Sequence, residues 1–211
     1  MERRSYHQYC GVAKSLDVVG ERWTMLIVRN LLLGPLRYSD LLRGLPGITT
    51  NLLAKRLREM EDAGIVERLR GPLPNGGHAY RLTTVGAKLE PVVHALGRWA
   101  WQWMGAPEPG ELRNVEWLFV ALRRRYRGGV RLRAELVVDE APYRMILSTD
   151  GVEITRGEAA QPDVRIRATG AAVMRLFLDK VPQGRTLPGI AVDGSREAVR
   201  ILSGAFHKHE P

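Results

Sequence analysis

Apolar residues recur at helical spacing through the first third of the chain. Val12, Leu16 and Val19 mark a first helix that Gly20 breaks. Trp23, Leu26, Ile27 and Leu31 mark a second, beginning near Glu21. Gly34-Pro35 ends it, since proline disfavours helical backbone in the residue before it. Residues 39–45 read as a short third helix with Ser39 as its cap, and Pro46-Gly47 makes a turn. Residues 48–65 then form one amphipathic helix, with Leu53, Leu57 and Met60 on one face and Thr50, Asn51, Lys55 and Arg58 away from it. Thr49 or Thr50 can cap its start, and Gly64 can stop it with a left-handed turn. Short helix, tight turn, helix is the helix-turn-helix pattern.

The period then changes from helical to alternating. Residues 65–70 and 79–82 read as two strands around a loop with an Asn75-Gly76 turn signal, which makes a hairpin, or wing. A long helix is expected from Thr83 or Thr84 through Leu89, Val92, Val93, Leu96, Trp99, Ala100 and Trp103. Trp99, Trp101 and Trp103 crowd its end and cannot all face one small core. They either pack locally or form a dimer interface, where aromatic residues are enriched, and the dimer is the favoured reading.

Pro107 and Pro109 with their glycine neighbours form a linker over residues 106–111, which divides the chain into domains 1–105 and 112–211. Beyond it, residues 114–126 read as a helix with Val115, Leu118, Phe119 and Leu122 on one face. Strands follow at 130–138, 143–147, 151–155 and 163–168, then a helix at 171–179 and a strand at 189–193. Ser195 caps a last helix that runs to Phe206. The fold class is therefore α+β: a mainly helical winged domain, then a mostly antiparallel sheet with helices on one side.

Composition narrows the function. The chain has 211 residues, 45% of them apolar, and a net charge of +9. Residues 1–104 carry 15 Lys and Arg against 9 Asp and Glu, and residues 105–211 carry 17 against 14. A positive field favours a polyanionic partner. The single cysteine, Cys10, excludes an intramolecular disulfide and a multi-cysteine zinc site. No apolar run is long enough to span a membrane and no signal core follows the N-terminus, so a soluble, cytoplasmic protein is expected. Motifs for a nucleophilic serine, a phosphate loop or a zinc protease are missing. His207 and His209 read as a solvated tail, so neither an enzyme nor a bound cofactor or metal is expected. Taken alone, the polar face of the 48–65 helix fits either a solvated surface or a helix seated in a DNA major groove.

Four ordered stretches decide between these. They are Leu-Asp-Val-Val-Gly-Glu-Arg-Trp-Thr-Met-Leu-Ile-Val-Arg, Gly-Pro-Leu-Arg-Tyr-Ser-Asp-Leu, Leu-Pro-Gly-Ile-Thr-Thr-Asn-Leu-Leu-Ala-Lys-Arg-Leu-Arg-Glu-Met-Glu and Tyr-Arg-Leu-Thr-Thr-Val-Gly. Together they closely resemble the HxlR-type winged helix-turn-helix regulators. The resemblance implies a homodimeric bacterial transcription factor on double-stranded operator DNA, paired through its N-terminal helix and the helix after the wing. It makes residues 49–60 the recognition helix, with Thr49 at its start and Thr50, Asn51, Lys55 and Arg58 facing the groove. Asn51 would pair with adenine, and Arg58 or Lys55 with guanine or phosphate. Arg37 and Ser39 would hold phosphate, Arg70 and His78 would flank the wing tip, and Arg56 would pair with Glu59 or Glu61. The wing departs from the family pattern, with His78-Ala79 where a Val-Glu pair is usual. Cys10 sits at the family's N-terminal cysteine position. It reads either as an inert packing residue or as a thiol sensor whose pKa is lowered by Tyr9, Lys14 or His7.

The second half resembles a sterol carrier protein-like module. The resemblance rests on the alternating strands, on Ser-Thr-Asp-Gly-Val-Glu-Ile-Thr-Arg-Gly and Gln-Pro-Asp-Val-Arg-Ile-Arg-Ala-Thr-Gly, and on Gly-Ile-Ala-Val-Asp-Gly-Ser before the last helix. It implies a tunnel for a small apolar ligand lined by Phe119, Leu122, Met145, Leu147, Met174, Phe177, Leu178, Ile201 and Phe206. The same residues read equally as a filled core. The expected function is a DNA-binding regulator controlled by an apolar effector; a thiol-based sensor and a lipid carrier are the alternatives.

Overall fold

In a computed structural model, the structure describes residues 5–69, 78–178 and 188–206. The chain divides into two compact units, residues 1–103 and 104–211.

In the first unit, helices α1 (Gly11–Val19) and α2 (Thr24–Leu31) are followed by a two-residue strand β1 (Leu36–Arg37) and helix α3 (Tyr38–Arg43). Helix α4 (Thr50–Asp62) leads to strands β2 (Val66–Leu69) and β3 (Ala79–Leu82), then to helices α5 (Thr84–Ala87) and α6 (Glu90–Trp101). Ile27, Val28 and Leu31 of α2, Leu41 of α3, and Leu53, Leu57 and Met60 of α4 form one buried core with Leu45 and Ile65.

Four details differ from the sequence expectation, each for a local reason. α2 starts at Thr24 because Trp23 adopts a left-handed backbone, φ 83°, and cannot continue a helix N-terminally. The wing sheet gains a third strand, since β1 pairs antiparallel with β3 in the order β1-β3-β2. That pairing holds Arg37 extended at the N-cap of α3, so Ser39 lies inside the helix and does not cap it. The expected long helix after the wing is two helices. Thr83 caps α5 by accepting from the Gly86 amide at 3.0 Å, and Pro91, with no N–H to give the preceding turn, opens α6.

In the second unit, helix α7 (Val115–Arg125) precedes strands β4 (Leu132–Val138), β5 (Ala141–Leu147), β6 (Val152–Arg156) and β7 (Val164–Ala168). Helix α8 (Gly170–Leu178), strand β8 (Ile190–Gly194) and helix α9 (Arg196–Gly204) complete it. The sheet order is β6-β5-β4-β7-β8; β4 and β7 run parallel and the other pairs antiparallel. Ala134, Leu136, Tyr143, Met145 and Ile166 share the buried face. Phe119 of α7 meets Tyr143 with ring centroids 4.9 Å apart, and Phe177 of α8 meets Phe206 at 5.5 Å. The opposite face carries Arg133, Glu135, Arg144, Arg165 and Arg167. Burial by itself would raise the pKa of Glu135, but its Arg165 partner and the Ala159 amide, 2.8 Å away, hold the carboxyl below its ordinary value.

Candidate nucleic-acid interface

Helix α4 is fixed at both ends by its own sequence. Thr49 stays extended at the N-cap, and its hydroxyl accepts from the Leu52 amide at 3.3 Å. At the other end Gly64, φ 68°, takes the left-handed position. Its amide donates to Glu61 O, and the Ile65 amide to Met60 O, both at 2.9 Å, which is a Schellman stop. Ile65 and Met60 are buried in the same core, so the hydrophobic contact of that motif is present too.

The two faces of α4 then have separate tasks. Leu53, Leu57 and Met60 face the core, while Thr49, Thr50, Asn51 and Arg58 are exposed. Lys55 is partly exposed and lies 3.8 Å from Glu59. The polar residues therefore line one open face, with small hydrogen-bonding groups in the first turn and cations further along.

Arg56 is the one charged side chain of α4 that is buried, at 8% exposure. It pairs with Glu59 on its own helix and with Glu21 in the turn between α1 and α2, not with Glu61. Its Nε is buried with no hydrogen-bond partner among the described residues. The Glu21 contact ties α4 to the first helical pair across 35 sequence positions. A second tie comes from Tyr38 of α3, whose hydroxyl donates to Thr50 O at 2.6 Å. Buried Asn30 of α2 in turn donates to Gly44 O just past α3 at 3.2 Å, which joins those two supporting helices. The exposed face is thus backed by hydrogen bonds and an ion pair to the supporting helices.

The remaining candidates are spread around this helix. Arg37 is half-buried between β1 and α3, and Ser39 is exposed on the first turn of α3. His78 is exposed just before β3, and Arg70 lies outside the described residues. Within the wing, Arg81 pairs with Glu67 across β2 and β3 at 2.8 Å.

A second surface of the same unit is apolar. α6 buries none of its residues; Trp99, Trp101 and Trp103 are 61%, 58% and 64% exposed, and Val92 and Leu96 are also exposed. Trp99 and Trp103 meet edge to face at 5.2 Å. On α1 and its approach, Tyr9, Val12 and Leu16 are exposed as well. Cys10, the N-cap of α1, is exposed instead of packed. Its sulfur closes no cap hydrogen bond, yet the first-turn amides of Ala13 and Val12 hold the thiol below its ordinary pKa. Those amides, and not Tyr9, Lys14 or His7, lower it.

In the second unit, Phe119, Leu122, Met145, Leu147, Phe177 and Phe206 are buried in the core, and Met174 is half-buried. Leu178 and Ile201 are exposed and stand apart from that set. Their helical faces point outward because Leu176, Phe177 and Leu202 take the inward positions. His207 and His209 lie outside the described residues. Among the described residues no three His, Cys, Asp or Glu gather as a metal site, and no helix is long and apolar enough to cross a membrane.

Residues 18–108 match the profile of the HxlR-like helix-turn-helix family. An uncharacterized HTH-type transcriptional regulator of Bacillus subtilis (strain 168), YvaP, is 35% identical over 91 residues, 43% of this chain and 84% of that protein. Another uncharacterized HTH-type transcriptional regulator, Mb3122 of Mycobacterium bovis, is 36% identical over 112 residues, 51% of this chain and 70% of that protein. Among solved structures, the reduced form of the transcriptional regulator YodB from B. subtilis is 32% identical. It covers 48% of this chain and 100% of its own, with a TM-score of 0.41.

Proposed function

The chain belongs to the HxlR-like helix-turn-helix family of DNA-binding transcriptional regulators, and we propose that α4 is its recognition helix, working in a homodimer on a two-fold symmetric operator. The observation that supports this most is the division of α4 itself. One face is buried and clamped by Arg56 and Tyr38, and the other presents Thr50, Asn51, Lys55 and Arg58. Asn51 would bond adenine and Arg58 guanine, both in the bidentate manner their side chains allow. Thr49, Lys55, Arg37 and Ser39 would set the register on phosphates, with Arg70 and His78 of the wing at the adjacent backbone. The exposed apolar residues of α1 and the Val92, Leu96 and Trp99 face of α6 would pair with their copies across the dimer axis. Such a regulator works in the cytoplasm, where its DNA is. The direct test is retention of genomic fragments by the full chain; protein that retains none contradicts the reading.

The second unit would be a sterol carrier protein-like effector domain for a small apolar molecule. Its support is the buried aromatic contacts of this unit, Phe119 with Tyr143 and Phe177 with Phe206. For such a molecule to regulate, it must bind one state of the dimer better than the other. Organic extraction of the purified protein should release an apolar compound, and adding that compound back should shift DNA affinity by about 5- to 150-fold. Protein that yields no such compound, or DNA affinity unmoved by it, removes this role.

One observation favours a second mode of control. Cys10 is exposed at a helix N-terminus that favours the thiolate, the reactive form. Cys10→Ser should abolish any loss of DNA binding caused by peroxide or a quinone. A serine variant that responds like the parent would exclude thiol control.

A further inference from the structure

Six arginines crowd the junction between α7 and β4. Arg123, Arg124 and Arg125 form the last turn of the helix, Arg127 and Arg131 lie in the connecting loop, and Arg133 is on the strand. No Asp or Glu interrupts residues 123–133. Cations in a last turn have an ordinary structural role against the negative end of the helix, but that covers only the first three.

The loop is pinned in place. Buried Tyr126 donates through its hydroxyl to Ser148 O at 2.7 Å and accepts from the Val130 amide at 3.2 Å. Gly128 and Gly129 both take left-handed backbone, φ 82° and 84°. The Gly129 amide donates to Thr149 O at 3.0 Å, and a Cβ on Gly128 would lie 2.2 Å from that same oxygen. The backbone is therefore seated against the turn between β5 and β6, and Arg127 and Arg131 project exposed from it. Several acids of this unit are engaged elsewhere: Glu116 with Arg156, Glu135 with Arg165, Glu153 with Arg144 and Glu197 with Arg200. Two exposed acids lie beside the loop: Asp150 on the β5–β6 turn, whose backbone N is 4.0 Å from the Gly128 Cβ position, and Asp163, whose carboxylate accepts from the Arg133 amide at 2.7 Å.

We propose that this arginine loop is a second DNA-contact surface, one that grips the phosphate backbone without regard to sequence. Guanidinium groups match phosphate oxygens in pairs, and a pre-formed loop loses little freedom when it engages them. The proposal rests on the reading that the first unit binds DNA, and it adds affinity to that unit's contacts but no base specificity.

The test uses the full chain and a long mixed-sequence duplex, with affinity followed against salt. The triple variant Arg125→Ala, Arg127→Ala, Arg131→Ala should reduce the slope of log K against log salt by about 0.9 for each phosphate that is no longer neutralised, about 2 to 3 in all. The matching lysine variant should keep most of the slope, which separates missing charge from a damaged fold. An unchanged slope in the alanine variant overturns the proposal. So does an alanine variant that loses affinity only for anionic phospholipid vesicles, which would assign the loop to a membrane surface. Failure of the recognition-helix reading looks different: the parent would show no sequence preference, while the slope comparison still decides the role of the loop.

Discussion

Alanine at both Asn51 and Arg58 is expected to weaken operator binding by about 30- to 20,000-fold, from about 1–3 kcal/mol for each bidentate base contact. Both side chains are exposed, and neither belongs to the core that Leu53, Leu57 and Met60 build. The Thr49 cap and the Gly64 stop remain in the double variant. Its thermal midpoint should therefore stay near the parent's, because exposed substitutions away from caps and core move stability little. Leu53→Ala provides the contrast: it removes a fully buried side chain, should cost about 2–5 kcal/mol of stability, and should reduce binding only by unfolding the support. Fluorescence anisotropy with operator DNA, beside thermal unfolding of the same samples, separates the two effects. An Asn51/Arg58 double variant that binds like the parent would remove α4 from the groove.

Glutamate at Leu96 and Trp99 should give a monomer. Val92, Leu96 and Trp99 recur at steps of four and three along α6, so they form one stripe; all three are exposed, and Trp103, just past the helix end, meets Trp99 edge to face. Burying two carboxylates in an apolar seam costs several kcal/mol for each unpaired charge, enough to separate most dimers at working concentrations. The separated protomers lose the high effective concentration that links two half-sites, and operator affinity should fall about a hundredfold or more. Trp101 serves as the internal control. It lies about 200° around the helix from Trp99, so Trp101→Glu should leave the mass in sedimentation unchanged. A Leu96/Trp99 variant that sediments as a dimer would move the interface elsewhere.

Chemistry local to a few residues could be read from the sequence, and pairing between distant residues could not. α4 was legible almost to the residue because its cap, its apolar period and its glycine stop are all written within one short stretch. The strands of the second unit were legible from alternation, but alternation says nothing about strand direction, so the parallel β4–β7 pair was hidden. β1 is two residues long and has no period to detect; it exists because β3 offers it an edge. That pairing also displaced the expected Ser39 cap. The break between α5 and α6 was signalled by Pro91 but masked by Leu89, Val92 and Val93, which keep the apolar stripe running across it.

The candidate site shows the same divide. The exposure of Thr50, Asn51 and Arg58 follows from helical geometry. The Arg56–Glu21 clamp depends on how α4 meets the α1–α2 turn, which no local pattern contains. For the apolar residues of the second unit, the sequence identified those that are buried but could not separate Leu178 and Ile201, whose orientation depends on which neighbouring helical positions win the core.

Selection of bound duplexes from a random pool by the full chain tests the central reading most directly. The expected product is an inverted repeat whose half-site centres lie about 34 Å apart, one turn of B-DNA, or a whole multiple of that. Repeating the selection with Asn51→Ala should relax one base position in each half-site and leave the spacing unchanged. Enrichment of no sequence, or of a motif that Asn51→Ala leaves intact, would contradict it.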